Sequence, residues 1–172
     1  MSTSKALVLI DLQNDFITGS LGTKESREIV DNLVQLIDSW DDDIYITKDT
    51  HDFNYLNTLE GRMLPVKHCI AGTEGYDLEP KIKEALYNRR NINVFQKNTF
   101  GSIGLMNALT HYSEIYICGL CTDVCVITNA LLLRTRYPNT RILCLAQYCA
   151  GTTPERHKEA LNIMDSCQIE IM

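Results

Sequence analysis

The sequence predicts an α/β fold, a three-layer sandwich with a central, mostly parallel six-stranded sheet flanked by helices. Three observations carry this expectation. Six short apolar runs rich in β-branched residues recur along the chain, longer amphipathic stretches separate them, and the runs are nearly continuously apolar rather than alternating. Strands covered on both faces read in that way, and regular alternation with helices gives parallel strands joined by helical crossovers.

The elements follow in order. Residues 5–10, "KALVLI", form the first strand, and residues 25–39, "ESREIVDNLVQLIDS", repeat apolar positions at the three- and four-residue spacing of an amphipathic helix. "DIYIT" at 43–47 is the second strand. Residues 49–76, "DTHDFNYLNTLEGRMLPVKHCIAGTEGY", show neither period and exceed the usual connection length, and a loop that long inside a compact domain tends to be functional. A helix over 77–88 leads to a strand over 91–95, "NINVF". A helix over 102–112 then precedes the strand at 114–119, "EIYICG". The pattern closes with a helix over 123–136, a strand over 140–145 ("TRILCL"), a helix over 155–166 and a last strand over 168–172 ("QIEIM"). No repeat or low-complexity segment interrupts it, so residues 1–172 are expected to form a single domain, a size that buries an adequate core.

Composition limits the partners. Lys and Arg total 16 against 22 Asp and Glu, a net charge of −6 with no clustered basic face, which argues against nucleic acid and anionic membranes and for a small molecule. The opening "MSTSKALVLIDLQNDF" has an apolar run too short for an export signal or a spanning helix, so a cytoplasmic protein is expected. Seven cysteines, an odd number and several of them inside apolar runs, should then be mostly reduced and buried.

Polar residues gather where strands end. Asp11 closes the first strand, Asp49 and His51 follow the second, Lys97 follows the third, and "GLCTDVC" follows the fourth. In a parallel sheet these ends share one edge, where ligands of open α/β proteins bind. Within "ICGLCTDVCV", residues 117–126, three cysteines could be redox partners, metal ligands, a nucleophile or packing. Cys118 and Cys121 have C-x-x-C spacing, but without a second pair this is a weak zinc signal, and Cys118 ends an apolar strand rather than opening a helix. Cys144 reads as packing in a buried strand, while Cys69, Cys149 and Cys167 have no companion at ligand spacing. In the long loop, Asp49, His51, Glu60 and His68 are of the types that hold Zn²⁺, Mn²⁺ or Fe²⁺, and equally of the types that decorate a solvated loop.

With these residues in view, "DLQNDF" after the first strand, a lysine after the third and "GLCTDVCV" after the fourth resemble the signature of the isochorismatase-like cysteine hydrolases over nearly the whole chain. The resemblance implies that family's fold and a triad of Asp11, Lys97 and Cys125. It further implies a non-proline cis peptide at Leu120–Cys121, and an oxyanion site of backbone N–H groups from Cys121 and Cys125. The D-x-H pair, the downstream glutamate and the "LPVKHC" segment are similar to the metal site of the nicotinamidase branch. On that likeness Asp49, His51 and His68 are ligands, Glu60 a candidate fourth, and zinc the expected metal, with manganese or iron as alternatives. Phe16, Leu64 and Phe100 are expected around the substrate. Leu64 stands where that branch commonly carries an aromatic residue, and "KNTFGS" lacks a longer aromatic insertion, which Phe100 partly replaces.

The activity implied is hydrolysis of nicotinamide to nicotinate and ammonia through a thioester on Cys125, a step of NAD salvage. The chemistry agrees with the residue types: a thiol near pKa 8.5 needs a base to attack an amide at neutral pH, and an aspartate can take the proton and return it to the departing amine. The alternatives are another small amide or ureido substrate, or a silent binding module of the same fold. The resemblance also implies a homo-oligomer, a dimer or tetramer.

Overall fold

The computed structural model describes residues 4–172. Six strands, β1 (Lys5–Ile10), β2 (Asp43–Asp49), β3 (Ile92–Lys97), β4 (Glu114–Leu120), β5 (Arg141–Ala150) and β6 (Glu170–Ile171), form one sheet in the order β3-β2-β1-β4-β5-β6. Every pairing is parallel, where mostly parallel was expected. Ala6 to Ile10 of central β1 are fully buried, which explains its unbroken apolar run.

Eight α-helices connect the strands: α1 (Asn14–Ile17), α2 (Lys24–Glu28), α3 (Val30–Ser39), α4 (Leu59–Met63), α5 (Pro80–Tyr87), α6 (Ile103–Ala108), α7 (Ile127–Arg136) and α8 (Pro154–Ser166). Helices α3 and α5 pack on each other, and α6, α7 and α8 pack in a second row. The usual right-handed crossover puts two such groups on opposite faces of a sheet whose strand order reverses. Local chemistry starts them. Thr23, Thr58, Ser102 and Thr153 accept hydrogen bonds from first-turn N–H groups, and Pro80 and Pro154 occupy first-turn positions where the missing N–H costs nothing. Among the described residues no helix is long and apolar enough to cross a membrane.

The structure corrects several boundaries. The helix expected over 25–39 is two helices meeting at Ile29, because the bend lets Ser26 on one side and Val30, Leu33 and Ile37 on the other all face inward. Strand β5 runs on to Ala150, since a bulge shifts its pairing from Ile117↔Cys144 to Gly119↔Cys149 and breaks the sequence period. The loop over 49–76 contains α4 and two 3₁₀ turns, elements too short to show a period. Helix α1 was likewise invisible at four residues.

The chain moves outward from β1 through β2 to β3, returns across β1, and builds β4 to β6 on the other side. The strand order therefore reverses between β1 and β4, and a crevice opens there at the carboxyl ends. Gly119 sits at this seam with φ +123°; a Cβ there would lie 2.2 Å from the carbonyl oxygen of Ile10. The next peptide, Leu120–Cys121, is cis.

Candidate active site

Asp11 is the first residue past β1. Its φ of +50° is in the left-handed region that aspartate tolerates better than most residues. Its backbone N–H lies 3.2 Å from both the carbonyl oxygen and the Oγ1 of Thr47, and that hydroxyl donates to Asp11 Oδ1 at 2.7 Å. The other oxygen, Oδ2, faces Lys97 Nζ at 2.6 Å. Lys97 ends β3 in register with Asp49, whose Oδ1 is 3.5 Å from the same ammonium, and Nζ donates to Cys125 Sγ at 3.5 Å. The structure thus brings Asp11, Lys97 and Cys125 together, all buried.

Burial dominates the charges here. It raises the Asp11 carboxyl above its ordinary range; Lys97 pulls the other way and Asp49 adds to the rise. Burial works against the Lys97 ammonium too, yet Asp11, Cys125 and Asp49 outweigh it and hold the lysine charged. The Cys125 thiol is pushed far up by burial and then by Asp11, against Lys97. Burial thus favours the neutral thiol at Cys125, beside a carboxyl whose proton affinity is raised.

Cys125 lies in a π-helical turn, Thr122–Val126, that widens the entry to α7; the N–H groups of Val124 and Val126 both donate to the Cys121 carbonyl. Asn129 Nδ2 donates to the carbonyls of Cys125 at 2.8 Å and Phe100 at 3.1 Å, and its Oδ1 accepts from Ser102 N–H, which ties the Phe100 loop to this turn.

Across the crevice, Asp49 Oδ2 is 3.0 Å from His51 Nε2 and 3.4 Å from His68 Nε2, and the ligand atoms of the three residues lie within 4.8 Å of one another. Glu60 Oε1 stands farther out, 3.7 Å from each Nε2. The donor set fits a divalent metal. His68 Nδ1 donates to the Val66 carbonyl at 2.8 Å, which leaves its Nε2 lone pair aimed at the cluster. Burial opposes the Asp49 carboxylate, but the neighbouring His51 and His68 and the charge of Lys97 hold it well below the usual range. Burial also opposes protonation of His68, but Asp49 and the Val66 carbonyl raise its proton affinity above the ordinary value, as expected where acids await a cation.

Between the two clusters lies a cavity of about 280 Å³, lined by Phe16, Leu64, Phe100, Val124 and Cys121 with Cys125 on one side and Asp49, Glu60 and His68 on the other. All three expected substrate-side residues, Phe16, Leu64 and Phe100, reach it.

These groups come together with a family match. A model described as the isochorismatase domain matches residues 5–172. The chain belongs to the isochorismatase family. The crystal structure of a nicotinamidase/pyrazinamidase from Bacillus subtilis superposes with a TM-score of 0.84 at 27% identity, covering 98% of this chain and 99% of that one. The nicotinamidase/pyrazinamidase of Mycobacterium tuberculosis is 25% identical over 98% of each chain. A Pyrococcus horikoshii pyrazinamidase in complex with zinc shares the fold, with a TM-score of 0.84, 24% identity and coverage of 98% of each chain. This isochorismatase-family chain is an amidohydrolase.

Several supporting residues of this family member escaped the sequence reading. Gln13 is fully buried, and its amide grips Asp49 at both backbone atoms, Oε1 accepting from N–H and Nε2 donating to the carbonyl, each at 2.8 Å. Tyr55 packs its ring 4.7 Å from His51 and 4.9 Å from His68, and burial pushes its phenol up to about 12. Thr47 pairs opposite Ile10 at the strand end, the position from which a side chain reaches Asp11. A signal existed for Gln13 in "DLQNDF", where a polar residue follows a fully apolar strand; for Tyr55 there was none. The cysteine reading also changes in one place. Among the described residues all cysteines are free, and Cys149, read as isolated, has its Sγ 4.0 Å from that of Cys144 across the β5 bulge.

Proposed function

We propose that this amidohydrolase converts nicotinamide to nicotinate and ammonia through a thioester on Cys125. The observation that carries the reading is the cavity itself, lined by the Cys125 thiol, with Lys97 and Asp11 behind that thiol, and by Asp49 and His68 of the Asp49, His51, His68 cluster. Its charged lining consists of carboxylates, because Lys97 is spent on Asp11 and Asp49, and so it suits a neutral amide rather than an anionic substrate. The names of the relatives support the same reading.

In the proposed reaction Asp11 takes the Cys125 proton as Sγ attacks the amide carbon. Lys97 keeps Asp11 in place and offsets the negative charge that reaches sulfur. Backbone N–H groups of Cys121 and Cys125, beside the Leu120–Cys121 peptide, receive the oxyanion. Asp11 returns its proton to nitrogen, the C–N bond breaks, and ammonia leaves. Asp11 then removes a proton from water, which attacks the thioester, and nicotinate is released with Cys125 reprotonated. Asp49, His51 and His68 would hold a divalent metal, zinc above manganese or iron, with Glu60 beside them. When bound, the metal supplies a Lewis-acid anchor for a ring nitrogen. Phe16 and Phe100 offer apolar surface to the ring.

The rim favours a second reading of the substrate. Leu64 and Phe100 are 39% and 45% exposed, a more open mouth than a closed ring sandwich, which fits other small amides or ureido compounds. Ammonia release measured on nicotinamide beside a panel of small amides, with mass spectrometry of the trapped acyl-enzyme, decides between them. Faster turnover of a non-aromatic amide than of nicotinamide would sink the substrate assignment. No adduct and no turnover with any amide would leave the silent binding module. We further infer a single functional domain, supported by the family match over residues 5–172, and a cytoplasmic role in NAD salvage, supported by the free cysteines. Assembly as a homodimer or tetramer is supported by the exposed Phe53, Leu59 and Met63, and light scattering tests it.

A further inference from the structure

Asp15, on α1, belongs to neither wall of the site. Its carboxylate nevertheless reaches across to the segment that carries His68. Oδ2 accepts from the Cys69 backbone N–H at 2.7 Å, and Oδ1 accepts from Ser20 N–H at 3.3 Å. Ser20 Oγ in turn donates to the Lys67 carbonyl at 3.1 Å. The peptide groups on both sides of His68 are thus tied to the same short stretch of chain. The imidazole is held from that stretch as well, since the Phe16 ring lies 5.6 Å from it.

Two features show that the tie is built in rather than incidental. Cys69 is fully buried with φ +48°, an unfavourable conformation for a residue with a side chain, and its N–H needs a partner there. Gly75 presses against the same carboxylate so closely that a Cβ would sit 2.1 Å from Asp15 Oδ2. A residue with no side chain makes room for this acid.

We propose that Asp15 is a positioning residue that aims His68 at the metal cluster through the Cys69 N–H, with Ser20 as its accessory on the Lys67 side. The proposal rests on the metal reading given above. Because Asp15 and Phe16 follow Asp11 by a few residues, one segment would then set both the base and a metal ligand.

The test is zinc affinity of the metal-stripped protein, read without substrate by competition against a chromophoric chelator. Loss of an outer partner of a ligating histidine weakens metal binding by roughly 10–100-fold, and Asp15→Ala is expected in that range. Asp15→Asn should stay close to wild type, because its amide oxygen still accepts from Cys69 N–H. A merely structural role would lower the melting temperature of the metal-free protein without moving the affinity. Should Asp15→Ala fail to fold, Ser20→Ala, which removes only the Lys67 tie at an exposed side chain, is expected to weaken zinc binding several-fold. Folded Asp15→Ala with wild-type zinc affinity overturns the proposal, as does an Asp15→Asn that loses as much as the alanine. Absence of zinc binding by the wild type overturns the metal site, and this role with it.

Discussion

Replacing Lys97 with methionine keeps most of its volume and removes one charge. The ammonium lies 2.6 Å from Asp11 Oδ2 and 3.5 Å from Asp49 Oδ1, with every partner buried. Breaking a buried pair by deleting one member costs about 3–5 kcal/mol, since the other charge is left uncompensated. For a domain of this size each kcal/mol is about 2–4 °C, so the melting temperature should fall by roughly 6–20 °C. The loss should depend on pH. Burial already raises Asp11 above the ordinary value of 3.8, and removing Lys97, which pulls it down, raises it further. A group with a raised folded pKa contributes stability that is complete below its unfolded pKa and fades as pH climbs through the folded one. The deficit of Lys97→Met should therefore be smallest in acid and grow as pH climbs above the ordinary carboxyl value of 3.8. Adding Asp11→Asn should recover part of it, with a coupling of about 0.5–3 kcal/mol. Thermal melts by circular dichroism across pH, run on the two single variants and the double, provide the measurement. A Lys97→Met melting temperature equal to wild type at every pH would refute the reasoning, because the lysine would then compensate nothing.

Further outcomes follow from other parts of the site. Cys125→Ala should abolish ammonia release while the far-ultraviolet spectrum stays native; Cys121→Ala should keep substantial activity, and Cys118→Ala should cost about 1 kcal/mol of stability without specific loss of chemistry. An active Cys125→Ala beside dead Cys118 and Cys121 variants would revive the dithiol reading. Stripping metal with a chelator should reduce nicotinamide turnover and return it on adding zinc, and elemental analysis should find about one metal per chain. Benzamide, which has no ring nitrogen, should be a poor substrate by the same assay, and equal turnover would remove the metal from substrate positioning. Gly119→Ala should cost at least about 2 kcal/mol in urea unfolding, because its Cβ would meet the Ile10 carbonyl at a strand pairing that cannot widen.

What the sequence disclosed was governed by period and burial. β1 was readable to the residue because covering both faces of a central strand demands an unbroken apolar run, and Asp11 stood out as the first polar residue after it. Lys97 and Asp49 were legible for the same reason, as strand-end residues of a parallel sheet. The metal-side residues were legible by type, whereas their convergence depends on a loop that follows no period and is held by Gln13, Asp15 and Tyr55. These three work through hydrogen bonds to backbone and through ring packing. Such contacts leave no repeating trace in a sequence. The upward push on the Cys125 thiol was also beyond its reach, because it comes from burial and from Asp11, which meet the thiol only in the folded chain.

The reversal of strand order has a consequence for how the molecule comes into being. The groups around the crevice lie at residues 11, 49, 68, 97 and 125, each contributed by a different strand end, loop or turn. No stretch of the chain shorter than residues 11–125 contains them all, and closing contacts so distant in sequence is slow. A chain in which the two halves of the sheet have not yet paired would hold a thiol and scattered acids but no reaction centre. During refolding, regain of ammonia release should trail the recovery of helical signal, so that activity marks the moment when the two halves of the sheet have met.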